Sequence, residues 1–188
     1  MRIFLFIVLT LLSFTSVASE YTSFEKNYMK DWIKTYNPKV KEEDLNSIIN
    51  NAIYYSNKKH LDTISVMSVI GYESNYNKKA KSKHGAIGLT QVKPKYHLSK
   101  IKGRNLYNIK VAIDVGTDVL IECGAKNKIS NKALKCYTGY TKLNQKKYNK
   151  EINKRYSHYY TLVKSNNIKL ANKYNGNTRL AYSRIIYD

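Results

Sequence analysis

Apolar residues recur along this chain at spacings of three and four rather than two, and that period predicts helices. Leu45, Ile48, Ile49, Ala52 and Ile53 form such a stripe over residues 43–58. Val66, Val69 and Ile70 form another over 62–74, with Asp62 or Thr63 placed to cap its start. The period returns with Val111, Val115, Val119 and Leu120 over 108–123, again over 129–138, and again over the Lys- and Tyr-rich stretch 144–164. It lapses between Ser74 and Arg104, where Gly85, Gly88, Gly103 and Pro94 punctuate a loop-rich region with room for one short helix or hairpin. Residues 165–188 carry weak periodicity and read as a C-terminal tail of no assigned role. With no alternating pattern of strand length, the expected fold is mainly α, a small helical domain with one long functional loop.

The first nineteen residues stand apart. Arg2 precedes an apolar run from Ile3 to Leu12, then Ser13, Thr15, Ser16 and the small-residue stretch Val17-Ala18-Ser19. Ten strongly apolar residues are short for a bilayer span, and small side chains stand where a signal peptidase reads. A signal peptide over 1–19, cleaved after Ser19, is expected, in preference to a buried N-terminal helix or a retained anchor. No Cys lies just past that point, so no lipid anchor and no stable membrane anchor are expected. The exported protein is then periplasmic or extracellular, and residues 20–164 form its single domain. Export permits a disulfide between the two cysteines, Cys123 and Cys136, although two buried thiols on separate helices fit the spacing equally well.

Charge narrows the partners. The 188 residues carry 33 Lys and Arg against 13 Asp and Glu, a formal charge of +20, and the sequence pI is about 9.8. So basic a chain is expected to meet something anionic, and export turns attention from nucleic acid to envelope polymers. A hydrophobic fraction of 43% is enough for a core. His60, His84, His97 and His158 are scattered without ligand spacing, so neither a metal nor a cofactor is expected.

On a helix over 62–74, Glu73 falls three residues after Ile70, four after Val69 and seven after Val66, along the apolar stripe. Desolvation there raises the pKa of a carboxyl, as a general acid working near neutral pH requires; a Glu at a helix end reaching back to water is the plainer reading. The neighbouring residues favour chemistry. Glu73-Ser74 leads through Ser82 into Gly85-Ala86-Ile87-Gly88-Leu89-Thr90-Gln91-Val92-Lys93-Pro94. This resembles the soluble lytic transglycosylase family, of goose-type lysozyme-like fold, whose pattern is Glu-Ser and then Ser-x-x-Gly-Ala-x-Gly-Leu-x-Gln-x-x-Pro. Ile113-Asp114-Val115-Gly116 resembles the family's Asn-Ile-x-x-Gly helix, with Ala112 in place of Asn. Ala133 through Tyr137-Thr138-Gly139 resembles its Ala-x-x-x-Tyr-Asn-x-Gly element, with Thr138 in place of Asn and the glycine one place early. The likeness spans roughly residues 60–160.

The resemblance implies cleavage of the β-1,4 bond between N-acetylmuramic acid and N-acetylglucosamine in peptidoglycan, ending in a 1,6-anhydro ring. Glu73 would act first as acid and then as base. Ser74, Ser82, Gly88, Gln91, Lys93 and Tyr137 would bind substrate: Gln91 and Ser82 through hydrogen bonds to N-acetyl and hydroxyl groups, Gly88 through close backbone approach, and Tyr137 opposite Glu73, bonded to it or to the sugar. Lys93 departs from the apolar residue frequent at its position. Peptidoglycan strands are the expected partner, and a secretion or envelope-spanning complex is a candidate one.

The distribution of acids bears on mechanism independently of the resemblance. Glycosidases that hydrolyse use a second carboxyl roughly 5–10 Å from the first. From Ser74 through Ile113 there is no Asp or Glu, while ten basic residues crowd the same stretch. Asp114, Asp118 and Glu122 come next, on a helix whose exposed side can hold them. The stretch therefore favours the intramolecular route and predicts a positive cleft. The alternatives are a hydrolytic muramidase and a non-catalytic wall-binding protein of the same fold. A basic nucleic-acid binder would require the leader to stay uncleaved.

Overall fold

The computed structural model describes residues 21–139 and 142–173. The leader expected over 1–19 and the last fifteen residues of the chain lie outside them. Among the described residues seven α-helices succeed one another: α1 Ser23–Tyr36, α2 Glu42–Lys58, α3 Thr63–Ser74, α4 Leu98–Ile101, α5 Ile109–Glu122, α6 Asn131–Thr138 and α7 Lys142–Lys173, with a 3-10 turn at Pro94–Tyr96. The described residues contain no strand, only the isolated bridges Lys81–Ile87 and Ile87–Val92 inside the loop. None of the described helices is long and apolar enough to cross a membrane.

The helices expected over 43–58, 62–74, 108–123 and 129–138 form with ends shifted by two residues at most, and Asp62 does cap α3, accepting from the Ser65 amide at 2.6 Å. Two boundaries differ. Helix α1 has no counterpart among the expected elements, although Thr22 and Glu25 form a reciprocal capping box and Tyr28, Met29, Trp32 and Ile33 bury one face. Helix α7 runs from Lys142 to Lys173, longer at its end than the stretch 144–164 over which the period is expected.

The main core gathers α1, α2, α3, α5, α6 and α7 around Trp32, Ile48, Met67, Ile70 and Tyr148, all fully buried. A smaller cluster of Val92, Ile101, Leu106, Val115 and Val119 lies under the loop, between it and α5, and Tyr137 of α6 packs against both. Cys123, at the end of α5, and Cys136, in α6, are joined in a disulfide. Of the two states the spacing allowed, this is the one formed, and it holds α6 beside α5.

Candidate active site

Helix α3 is buried along almost its whole length, from Thr63 to Gly71. Glu73 therefore leaves the core only in the final turn and is half-buried. The stop is fixed just beyond it. Asn75 and Tyr76 both take left-handed backbone (φ 49° and 60°), a conformation unfavourable for residues with a Cβ. Cross-bonds hold it: Asn75 Nδ2 donates to the Tyr36 carbonyl at 3.1 Å and Asn37 Nδ2 to the Asn75 carbonyl at 2.8 Å. The Tyr76 ring turns back onto Gly71, where a Cβ would stand 2.6 Å from its hydroxyl oxygen. Gly71 is thus the gap that lets the chain reverse immediately after Glu73.

The carboxyl of Glu73 accepts a 2.6 Å hydrogen bond at Oε1 from the hydroxyl of Tyr148, a fully buried residue of α7. Burial pushes the pKa of Glu73 up to about 7, against the smaller opposing pulls of the Tyr148 hydroxyl and the positive charge of Lys93. The carboxyl therefore holds its proton well above the ordinary carboxylate range, and two groups stand to steady the charge when the proton leaves.

The loop after α3 folds into a compact brace. The Gly88 amide donates to the Ala80 carbonyl at 2.8 Å, and Gln91 Nε2 donates to the Gly88 and Ala80 carbonyls at 2.9 and 3.3 Å. Thr90 anchors the brace to α5 by donating to the Ala112 carbonyl at 2.8 Å while resting on Gly116, where a Cβ would come within 2.5 Å of it. Gly88 (φ 74°) lies against the Leu106 backbone, and a Cβ there would meet that carbonyl oxygen at 2.1 Å. Packing thereby accounts for both Gly88 and Gly116.

The residues expected to bind substrate fall into two groups. Lys93 and Tyr137 join Glu73: Lys93 acts on its charge, and the negative charge of Glu73 adds to burial in pushing the Tyr137 phenol far above its usual range. The Tyr137 hydroxyl, however, donates to the Thr90 carbonyl at 2.6 Å. Of the two bonds expected of Tyr137, to Glu73 or to the sugar, the one to Glu73 is made by Tyr148, because Tyr137 is drawn to the loop and Tyr148 faces α3. Ser74, Ser82, Gln91 and Gly88 are engaged within the fold. Ser74 donates to the Ile70 carbonyl at 3.0 Å, and Ser82 Oγ accepts from the Ala86 and His84 amides at 3.0 and 3.2 Å. The close approach of Gly88 is to Leu106, and the amide nitrogen of Gln91 braces its own loop.

The acids of α5 are spoken for elsewhere. Asp114 receives Lys59 at 2.9 Å and Arg104 at 2.7 Å, Asp118 pairs with Lys59 at 2.7 Å, and Glu122 pairs with Lys100 at 2.8 Å. Burial alone would raise the pKa of Asp114, but the bonds from Arg104 and Lys59 hold it below the usual carboxylate range. These pairs tie α5 to the end of α2 and to the segment around α4. The positive charge of Lys93 lowers the pKa of Glu73 against the effect of burial. Among the described residues no group of three His, Cys, Asp or Glu is arranged to hold a metal.

Sequence reasoning missed Tyr148. Its marker was the spacing Tyr148, Ile152, Tyr159, Val163, a buried stripe that singles out two of the four tyrosines in α7.

The domain described as Transglycosylase SLT domain matches residues 50–162. The membrane-bound lytic murein transglycosylase E of Buchnera aphidicola subsp. Acyrthosiphon pisum (strain APS) is 32% identical over an alignment of 123 positions that covers 60% of this chain and 53% of that protein. The chain thus spans about half the length of that curated relative. No solved structure matches the chain. A match over more than half the chain, with Glu73 at the end of a buried helix and the glycine loop braced beside it, places the protein in a family: it belongs to the Transglycosylase SLT domain family.

Proposed function

We propose that this protein is a peptidoglycan lytic transglycosylase, cutting the β-1,4 bond between N-acetylmuramic acid and N-acetylglucosamine and leaving a 1,6-anhydro end. The observation that carries the reading is the state of Glu73: a half-buried carboxyl with a pKa near 7, bonded by the Tyr148 hydroxyl and under the positive charge of Lys93. Protonated, it donates to the glycosidic oxygen as the C1–O4 bond breaks and positive charge grows on the muramyl ring. Tyr148 and Lys93 then favour the carboxylate so formed. That carboxylate removes the proton of the muramyl C6 hydroxyl while its oxygen closes on C1. The proton lost in the first step is regained in the second and no water is consumed, so no second carboxyl is required.

The ion pairs of Asp114, Asp118 and Glu122 support this route over hydrolysis, since each acid is committed to a cation on the α2 or α4 side of α5. Lys93 and Tyr137 are read as substrate contacts beside Glu73, and Ser74, Ser82, Gly88 and Gln91 as the residues that hold the helix end and the loop around them. Action outside the cytoplasm, after removal of residues 1–19, is part of the same proposal, and the Cys123–Cys136 bond agrees with an oxidising compartment.

Clearing of a suspension of purified sacculi tests the reading. The wild-type protein is expected to lower the turbidity and Glu73→Gln to leave it standing. Equal clearing by the two would remove Glu73 from the chemistry.

A further inference from the structure

We propose a second saccharide-binding site on the α1–α2 face, distinct from the Glu73 site, that holds another stretch of the same glycan polymer; it rests on peptidoglycan being the substrate. A hollow of about 650 Å³ opens between the start of α1 and the second half of α2. Asn50, Tyr54, Asn57 and Lys58 line it at helical spacings of four, seven and eight, so they share one face of α2; Lys26 lines it from α1, and Ile53 lies beneath.

The side chains suit a sugar. Tyr54 is 56% exposed, although its neighbour Tyr55, packed edge-on to it at 4.9 Å, is buried. An aromatic ring largely exposed in a hollow, with the Lys58 ammonium 5.9 Å from its centroid, offers apolar surface that matches the C–H face of a pyranose ring. Asn50 and Asn57 each offer an amide donor and a carbonyl acceptor, the pairing that hydroxyl and N-acetyl groups require. Lys26 and Lys58 bring positive charge, and the residues lining the hollow include no acid. A glycan bearing carboxylates on its peptides meets that charge favourably.

The site is separate from the catalytic one. Lys78, just beyond α3, pairs with Asp44 in the first turn of α2 at 2.6 Å, so the end of α3 lies level with the start of α2. Tyr54 stands ten residues further along α2, about 15 Å at the helical rise. A strand held there would keep the enzyme on a sacculus between cuts.

The test separates binding from catalysis by using Glu73→Gln, which is expected to hold glycan without cutting it. Titration of that variant with chitotetraose, monitored by amide NMR, is expected to move Asn50, Tyr54 and Asn57. Adding Tyr54→Ala, or the double change Lys26→Glu with Lys58→Glu, is expected to weaken pelleting with purified sacculi about fivefold. Tyr54→Ala alone, with Glu73 intact, should leave cleavage of short soluble muropeptide chains unchanged. Chitotetraose that moves no amide of this face, or pelleting undiminished in both surface variants, overturns the proposal. Failure of the catalytic reading shows up differently, as absence of cleavage by the wild type whatever happens at Tyr54.

Discussion

The hydroxyl of Tyr148 lies 2.6 Å from Oε1 of Glu73, joining the middle of the core to the end of α3. It lowers a pKa that burial raises, and so sets the pH at which Glu73 changes from acid to base. Tyr148→Phe keeps the buried ring and its edge-on contact with Tyr72 but removes the donor. The carboxylate then loses a charge-assisted bond, and the alkaline limb of the pH–rate profile is expected to move up by about one unit, on the order of 1.4 kcal/mol. A limb that stays in place would separate Tyr148 from the acid.

Titration of Glu73 also leaves a mark on stability. Its folded pKa, about 7, lies above the ordinary value of 4.5, so the folded state holds the proton more tightly than the unfolded chain. This contribution is fully present below about pH 4.5, falls as the pH rises toward 7 and is gone above it. Relative to Glu73→Gln, the wild type should lose on the order of 3 kcal/mol across that window. Denaturant midpoints of the two proteins at pH 4.5 and pH 8 check this. A difference that does not change with pH would place Glu73 in ordinary solvent.

Much of the site was legible in the chain. The stripe Val66, Val69, Ile70 puts Glu73 on the apolar side of a helix, and the residues from Ser82 to Pro94 mark the loop beside it. The partner could not be read the same way. Tyr148 lies 75 residues away in a segment crowded with Lys and Tyr, and only the packing of α7 on α3 decides which tyrosine turns inward. Spacing was equally silent on Gly88. A glycine near a sugar and a glycine under a carbonyl look alike until Leu106 is seen against it.

Gly88→Ala should therefore act on the fold. It combines left-handed backbone with a collision against the Leu106 carbonyl, and a loss of at least about 2 kcal/mol is expected. Gly85→Ala, with similar φ (80°) but open space around it, should lose about 1 kcal/mol. Urea midpoints measure both. Equal losses would mean that the Leu106 contact relaxes.

Reduction of Cys123–Cys136, or replacement of both by Ala, frees α6 from α5. A loss of about 3 kcal/mol is expected for a loop of this length. Because Tyr137 sits next to Cys136 and donates to Thr90, catalytic activity should fall together with stability when the bond is reduced. Unchanged activity in the reduced, folded protein would show that Tyr137 keeps its place without the bond.

Asp114→Asn tests whether an acid of α5 takes part in the reaction. The change weakens the contacts with Lys59 and Arg104, so stability should drop by about 1–3 kcal/mol while the product remains an anhydro sugar. Loss of product formation in a folded Asp114→Asn protein would make Asp114 the second carboxyl.

Digestion of purified sacculi in water enriched in oxygen-18, with the released fragments weighed by mass spectrometry, tests the central claim most directly. If a single carboxyl carries the proton both ways, the new muramyl ends are anhydro rings without the heavy oxygen, and Glu73→Gln releases none. Reducing ends that carry oxygen-18 would contradict the account, because water would then have attacked where the C6 hydroxyl is expected to close.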